Sequence, residues 1–353
     1  MQQRPSALRT STDQRRIDCS GFEVPDLKRL LGALLVLTIL LYVTPHATAQ
    51  GWKPVRPVAF IVGAGAGSSS LDLTARTLQR VWDDSRAIGT PIVVINKPGA
   101  SNGIAWSYLN ERSEDGHSIA IGTTNLVSNP AMDAHSISHR DITPLAILFD
   151  DYTILLVRAD SPLRSMADVR RQLIKDPAAL SFGLSPGLGG GAHAAAALVV
   201  KAFGADASKG RYVPFKGASD AITAMIAGDI DIVSASTVNA PPFLAVGRAR
   251  AIGVIAPQRL SGSLAGVPTV REQGVNADFT NWRAVIGPKG MRKEHVAFWV
   301  QALAVANKSD AWQKDLLRNF WRENFLTGIA ADEFLEKQTS VFRTLWAEVN
   351  GKK

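Results

Sequence analysis

From Val55 onward, short apolar runs alternate with segments in which apolar residues recur every three or four positions. That alternation is the signature of parallel strands joined by crossover helices, and it predicts strands over 58–62, 92–95, 118–121, 152–157, 180–183, 211–215, 230–234 and 251–255. Between them Leu71, Leu78 and Trp82 fall on one helical stripe, as do Ile222, Met225 and Ile226. The last sixty residues change character: Val296, Trp299 and Leu303, then Leu316, Leu317 and Phe320, then Phe334, Phe342 and Trp346 predict a helical tail packed on something else. The Pro- and Gly-marked segments are all short. Two domains would therefore be joined by continuous strands, with 152–157 and 251–255 as the candidate crossings.

Upstream lies a different pattern. Residues 30–43, LLGALLVLTILLYV, are uncharged and apolar, preceded by Lys28 and Arg29 and followed by Ala47-Thr48-Ala49. This predicts a secretion signal with a long leader over 1–49, cleaved after Ala49, and hence a secreted chain. The run is shorter than the ~20 residues of a membrane span, although an uncleaved anchor is the alternative. Cys19, the only cysteine, would leave with the signal, so neither disulfide nor thiol chemistry is expected.

The 353 residues are 46% apolar and 20% charged, enough for a large core and more than one globular domain. Removing 1–49 takes six basic and four acidic residues from 39 and 31, leaving 33 against 27, or about +6. Basic residues are scattered without aromatic interleaving, which speaks against nucleic acid, while a mild positive field suits capture of small anions.

Four polar or glycine-rich turns follow predicted strands. Gly63, Gly65 and Gly67 approach the dinucleotide fingerprint, but Ser68 stands at the third glycine and the second strand ends Ile95-Asn96-Lys97-Pro98 with no ribose-binding acid. A small-anion cradle remains, made of helix N–H groups and the hydroxyls of Ser68, Ser69 and Ser70, with Ser69-x-x-Asp72 resembling a capping box. Gly183-Leu184-Ser185-Pro186-Gly187 matches a nucleophile elbow, yet Pro186 stands where the oxyanion-hole N–H is needed and has none. Beyond it Gly189, Gly190 and Gly191 offer backbone donors, and His193 either bonds an anion or fixes its own loop. The third turn carries Thr123, Thr124 and Asn125; the fourth, 215–220, carries Lys216. His135 and His139 have helical spacing but no companion ligands, which predicts surface residues and no metal. Several such turns at strand ends, without a general base or metal, predict a binding cleft and no catalytic residue.

The ordered stretches VAFIVGAGAGSSSLDLTAR, IVVINKPGASNGIAWSYL, DGHSIAIGTTNLVSNPAM, LSFGLSPGLGGGAHAAAAL, VPFKGASDAITAMIAGDIDIV and GVPTVREQG, spread over nearly all of 52–350, resemble the Bug family of periplasmic receptors of tripartite tricarboxylate transporters. The resemblance implies an α/β, type II periplasmic-binding-protein fold of two lobes, each a mainly parallel sheet flanked by helices. Lobe 1 would take 52–151 and 256–353, and lobe 2 would take 152–255. It implies a monomer without cofactor that closes over a small organic carboxylate and delivers it to membrane transporter subunits. The contacts carried over are Gly67, Ser68, Ser69, Ser70, Thr123, Thr124 and Asn125 on one lobe, and Gly189, Gly190, Gly191, His193 and Ser236 on the other. Two departures stand out: Ala64 and Ala66 replace an aromatic and a proline, and Ala235 and Ser236 replace an acid and an amide. The second argues against an amino-acid ligand and leaves room for a bulkier or more apolar acid. A subunit signalling to a membrane sensor is the alternative role, and a nucleotide-dependent enzyme a weaker one.

Overall fold

The computed structural model describes residues 51–67, 69–132, 137–185 and 187–350. The expected secretion signal and cleavage site, together with Ser68, His135 and Pro186, lie outside the described residues. No helix among the described residues is long and apolar enough to cross a membrane.

The apolar runs become strands of two sheets. Strands β1 (Val58–Val62), β2 (Ile92–Asn96), β3 (Ser118–Thr123), β4 (Ile142–Asp151), β10 (Asn281–Pro288) and β11 (Arg322–Leu326) form the first, in the order β11-β4-β10-β3-β1-β2. Strands β5 (Thr153–Arg158), β6 (Ser181–Leu184), β7 (Arg211–Pro214), β8 (Ile232–Ser236) and β9 (Ala249–Ile255) form the second, in the order β7-β6-β8-β5-β9. Every strand read from the sequence is present. Both sheets are mixed rather than mainly parallel: β1 pairs parallel with β2 and β3, and β6 with β7 and β8, but β10 and β5 run antiparallel to both of their neighbours. The antiparallel strands are those next to the passages between sheets. Only Tyr152 separates β4 of the first sheet from β5 of the second, and the chain returns from β9 to β10.

Helix α1 (Ser70–Ser85) starts where Ser69 Oγ accepts the Leu71 N–H, and it buries Leu71, Leu78 and Trp82 against the first sheet. Helix α2 (Gly103–Asn110) and helix α3 (Asn125–Ala131) follow β2 and β3. In the second half, α4 (Met166–Lys175), α5 (Gly191–Ala202), α6 (Ala218–Ala227) and the short α7 (Pro241–Ala245) flank the sheet, with Ile222 and Met225 of α6 fully buried. The tail supplies α8 (Lys293–Asn307), α9 (Asp310–Arg318) and α10 (Ile329–Val349). It is not all helix, because β11 forms a sheet edge within it. Leu317, placed on the apolar stripe by spacing, is exposed.

Helix α10 reaches across to the second half. Its Trp346 ring packs on His193 with centroids 4.7 Å apart, and Glu348 pairs with Lys201.

Candidate functional site

The ends of β1 and β3 in the first sheet and of β6 and β8 in the second converge on one cavity of about 60 Å³. A water takes about 10–15 Å³ by this measure, so the space suits roughly four to six waters or a small solute. The first half contributes Ala64, Ser69, Ser70, Asn102, Thr123, Asn125, Asn281 and Arg283 to its wall; the second contributes Thr153, Ser185, Gly191, Lys216, Ala235, Ser236 and Asn239. The described lining holds two cations, Arg283 and Lys216, and no carboxylate. Ala64, Asn102 and Lys216 also border a wider outer space of about 460 Å³ between the β1 turn, Pro98–Gly99 and Gly217–Asp220. The inner cavity is compact, and the outer space beside it offers further room for a larger acid.

Of the residues read from the sequence, Ser69, Ser70, Thr123, Asn125, Gly191 and Ser236 line the cavity, and Gly67, Thr124, Gly189, Gly190 and His193 do not. The glycine turn after β1 already holds an anion, and that anion is its own. Gly67 N–H donates to Asp72 Oδ2 at 2.8 Å, Arg76 Nε donates to the same oxygen at 2.7 Å, and Asn96 Nδ2 donates to Asp72 Oδ1 at 2.8 Å. Burial alone would raise the Asp72 pKa, but these bonds outweigh it and hold the carboxyl below its ordinary value. Asn96, where the fingerprint would have a ribose-binding acid, clamps this side chain and the Ala64 carbonyl.

The turn before α5 is likewise internally satisfied. Gly189 N–H donates to His193 Nδ1 at 3.0 Å, and the Gly189 carbonyl accepts from Ser128 Oγ, which itself accepts the Trp346 indole N–H at 2.6 Å. The His193 ring packs between Tyr212 and Trp346, and burial lowers its pKa to about 4. It is therefore a neutral acceptor that fixes its own loop. Gly190 caps α5, and Thr124 Oγ1 bonds Asn281 Oδ1 behind the cavity wall. His139 is not a free surface residue, since its Nε2 lies 3.1 Å from Glu336.

The largest feature absent from the sequence reading is Arg283, in the middle of β10 and 4% exposed. Its Nη2 lies 2.6 Å from Asp151 Oδ2 and 2.8 Å from Ser70 Oγ, and Nη1 donates to the Trp282 carbonyl at 3.1 Å. Its Nε–H has no acceptor among the described residues. Asp151 ends β4, is 0% exposed, and accepts a 2.6 Å bond from Ser236 Oγ of the second sheet. Burial raises Asp151 and lowers Arg283 relative to their ordinary values, while each charge works against the shift of the other. A guanidinium locked by its counter-ion and still holding an unmatched donor at a cavity wall is preorganised for an anion. The signal for it was Arg283 standing alone in the apolar run Trp282–Ile286, where a charge is buried only when paired. Asn102, Asn239 and Asn281 were also not singled out, because an isolated Asn carries no pattern of its own.

A second cross-sheet bond, Ser101 Oγ to the Leu188 carbonyl at 3.3 Å, and the Ser128–Gly189 bond stand with Ser236–Asp151 as hydroxyl ties between the halves.

Comparison with known proteins gives one direction. Residues 75–327 match the family model described as "Tripartite tricarboxylate transporter family receptor". The chain is 30% identical over 275 residues to the "UPF0065 protein in tcbD-tcbE intergenic region" of Pseudomonas sp. strain P51, covering 75% of this chain and 79% of that one. It superposes on a TctC solute binding protein from Polaromonas with a TM-score of 0.61 at 26% identity, over 83% of this chain and 98% of that one. On an R. palustris protein crystallised with adipate the TM-score is 0.75 at 23% identity, over 84% and 98%, a likeness of fold.

Proposed function

As this chain belongs to the tripartite tricarboxylate transporter receptor family, we propose that it captures a small organic carboxylate between its two sheets, in the periplasm, and delivers it to a membrane transporter without making or breaking a bond. The lobes would be 52–151 with 256–353, and 152–255. The reading rests on one observation above others: a cavity between the two halves whose described lining carries Arg283 and Lys216 and no acid, with an Arg283 Nε–H that no acceptor among the described residues answers.

The chemistry follows from the donors. The carboxylate takes the free face of Arg283 and the hydroxyl of Ser69, which accepts the Leu71 N–H and keeps its own proton, while the Gly191 N–H and the Asn281 amino group close the opposite side. Each charge-assisted hydrogen bond contributes roughly 1.5–3 kcal/mol, so four near the top of that range, about 12 kcal/mol together, leave the roughly 8 kcal/mol of micromolar affinity after an association cost of about 4 kcal/mol. Ligand bridging both halves favours the closed arrangement by its differential affinity, which is hinge closure about the β4–β5 and β9–β10 passages. A carboxylate bound to the adipate-containing relative of the same fold is in keeping with this.

A thermal-shift screen of mono-, di- and tricarboxylates, aromatic acids included, followed by calorimetry on the hits, tests the proposal. At least one acid should bind in the micromolar range. If none raises the melting temperature, the receptor reading is wrong.

A further inference from the structure

A chain of side-chain amides behind the cavity has only one consistent direction. It begins at the Ser101 carbonyl, which can only accept. Asn129 Nδ2 donates to it at 3.3 Å, which turns Asn129 Oδ1 toward Asn125; Asn125 Nδ2 donates there at 3.2 Å. Asn125 Oδ1 is then an acceptor, and Thr123 Oγ1 donates to it at 3.1 Å. A threonine hydroxyl has a single proton, and this bond uses it. Thr123 Oγ1 can therefore only accept from its other neighbours, and it does so from the Asn125 N–H at 3.2 Å and from Asn102 Nδ2 at 3.3 Å. With its amino group committed to Thr123, Asn102 presents its carbonyl oxygen. The polarity of a backbone carbonyl is relayed through three side chains and fixes which end of Asn102 is left.

That oxygen has no partner. Asn102 is 2% exposed, lines both the inner cavity and the outer space, and its Oδ1 is buried with no donor among the described residues. The chain holds it there at a cost: Ala100, Ser101 and Asn102 are three consecutive non-glycine residues with φ of 46°, 49° and 77°, each in the left-handed region. Gly63 at the end of β1 makes room, since a Cβ on it would lie 2.2 Å from Asn102 Oδ1. On the adjacent strand, Arg283 pairs in register with Thr123, so the unmatched Nε–H donor and the unmatched Oδ1 acceptor flank the same threonine.

We propose that the ligand is a hydroxy acid: its carboxylate faces Arg283 and its hydroxyl donates to Asn102 Oδ1. This deepens the receptor reading above and rests on it. A plain carboxylate meets a fixed acceptor dipole and leaves Asn102 unanswered, and a site that leaves a buried polar group unpaired discriminates strongly against the ligand that does so. An ammonium could also donate, but it would need a facing carboxylate to offset its desolvation. The described lining of the inner cavity has none, and Asp151 is held by Arg283.

The test is calorimetry of the full-length secreted protein with acids matched in skeleton and differing only in the hydroxyl: lactate against propionate, malate against succinate, citrate against tricarballylate. For the skeleton that fits, the hydroxy member should bind at least tenfold more tightly, and Asn102→Ala should bring the ratio below threefold. Equal or tighter binding of the deoxy member in every pair that binds overturns the hydroxyl assignment and leaves the carboxylate receptor standing. Binding by no member of any pair, nor by any acid of the wider screen, overturns both. If Asn102→Ala does not fold, the wild-type ratios and the same ratios in Asn102→Ser decide the matter.

Discussion

Replacing Arg283 by Met removes the guanidinium and leaves Asp151, with no exposed surface, facing only the Ser236 hydroxyl at 2.6 Å and the Ser70 hydroxyl at 3.4 Å. Removing one partner of a buried ion pair destabilises by about 3–5 kcal/mol, because the remaining charge is uncompensated. Unfolding entropy of about 2.1 cal/mol/K per residue over roughly 300 residues converts this to a fall in Tm on the order of 5–8 °C. The pH dependence has a definite sign. Burial already raises Asp151, and without Arg283 its largest opponent is gone and only the Ser236 and Ser70 hydroxyls still pull the other way. A carboxyl whose folded pKa exceeds the unfolded value of about 3.9 favours the folded state at low pH and loses that contribution as pH rises through the folded value. The Tm deficit of R283M should therefore be small near pH 4 and full at pH 7. Pairing the change with Asp151→Asn removes the stranded charge and should recover most of the loss, since replacing a buried pair outright is often nearly neutral. Scanning calorimetry at several pH values, with titration of the best acid from screening, checks both halves. The double variant should be stable and bind at least tenfold more weakly. A single variant as stable as the parent, or a double variant of unchanged affinity, refutes the assignment of Arg283.

His193, with a pKa near 4 against about 6.5 unfolded, binds its proton less readily in the folded state, so its contribution of about 3 kcal/mol is present above pH 6.5 and lost as pH falls toward 4. His193→Asn, which keeps an acceptor for the Gly189 N–H without titrating, should flatten that stretch of the stability curve measured by denaturant unfolding. Gly67→Ala should lower stability by about 1 kcal/mol, because φ is +67°, and leave affinity untouched, because its N–H already serves Asp72; a calorimetric loss of binding would show that the turn meets ligand after all. Gly63→Ala should instead erode the advantage of the hydroxy acid over its deoxy counterpart in the same assay, as Asn102→Ala does, by driving the Asn102 amide out of place.

What the sequence made legible follows from periodicity. Runs such as Val58–Val62 and Ile232–Ser236 are short, apolar and bounded by turns, and they emerge where expected. Three strands escaped. β10 is interrupted by Arg283 and β11 is a polar edge, while β4 does hold an apolar run, Leu145–Phe149, but one set between Pro144 and two aspartates. The turns were legible as donors, but which donors stay free was not, because their partners are distant or side chain in origin: Asp72 for Gly67, His193 for Gly189, Asn281 for Thr124. Asp151 and Arg283 are 132 positions apart and meet only through the pairing of β4 with β10.

The three serine ties between the halves add to the packing of Trp346 on His193 and the Lys201–Glu348 pair in holding the two halves together. Ser101 to Leu188 and Ser128 to Gly189 are neutral bonds worth about 1 kcal/mol each, and Ser236 to Asp151 adds about 1.5–3 kcal/mol. Such fasteners let go singly, each exchanging its partner for water, and the three alone amount to roughly 4 kcal/mol, a bias of about a thousandfold toward the joined arrangement at room temperature. On the function proposed above, a membrane partner would need only to hold the halves in their parted arrangement for the cargo to leave.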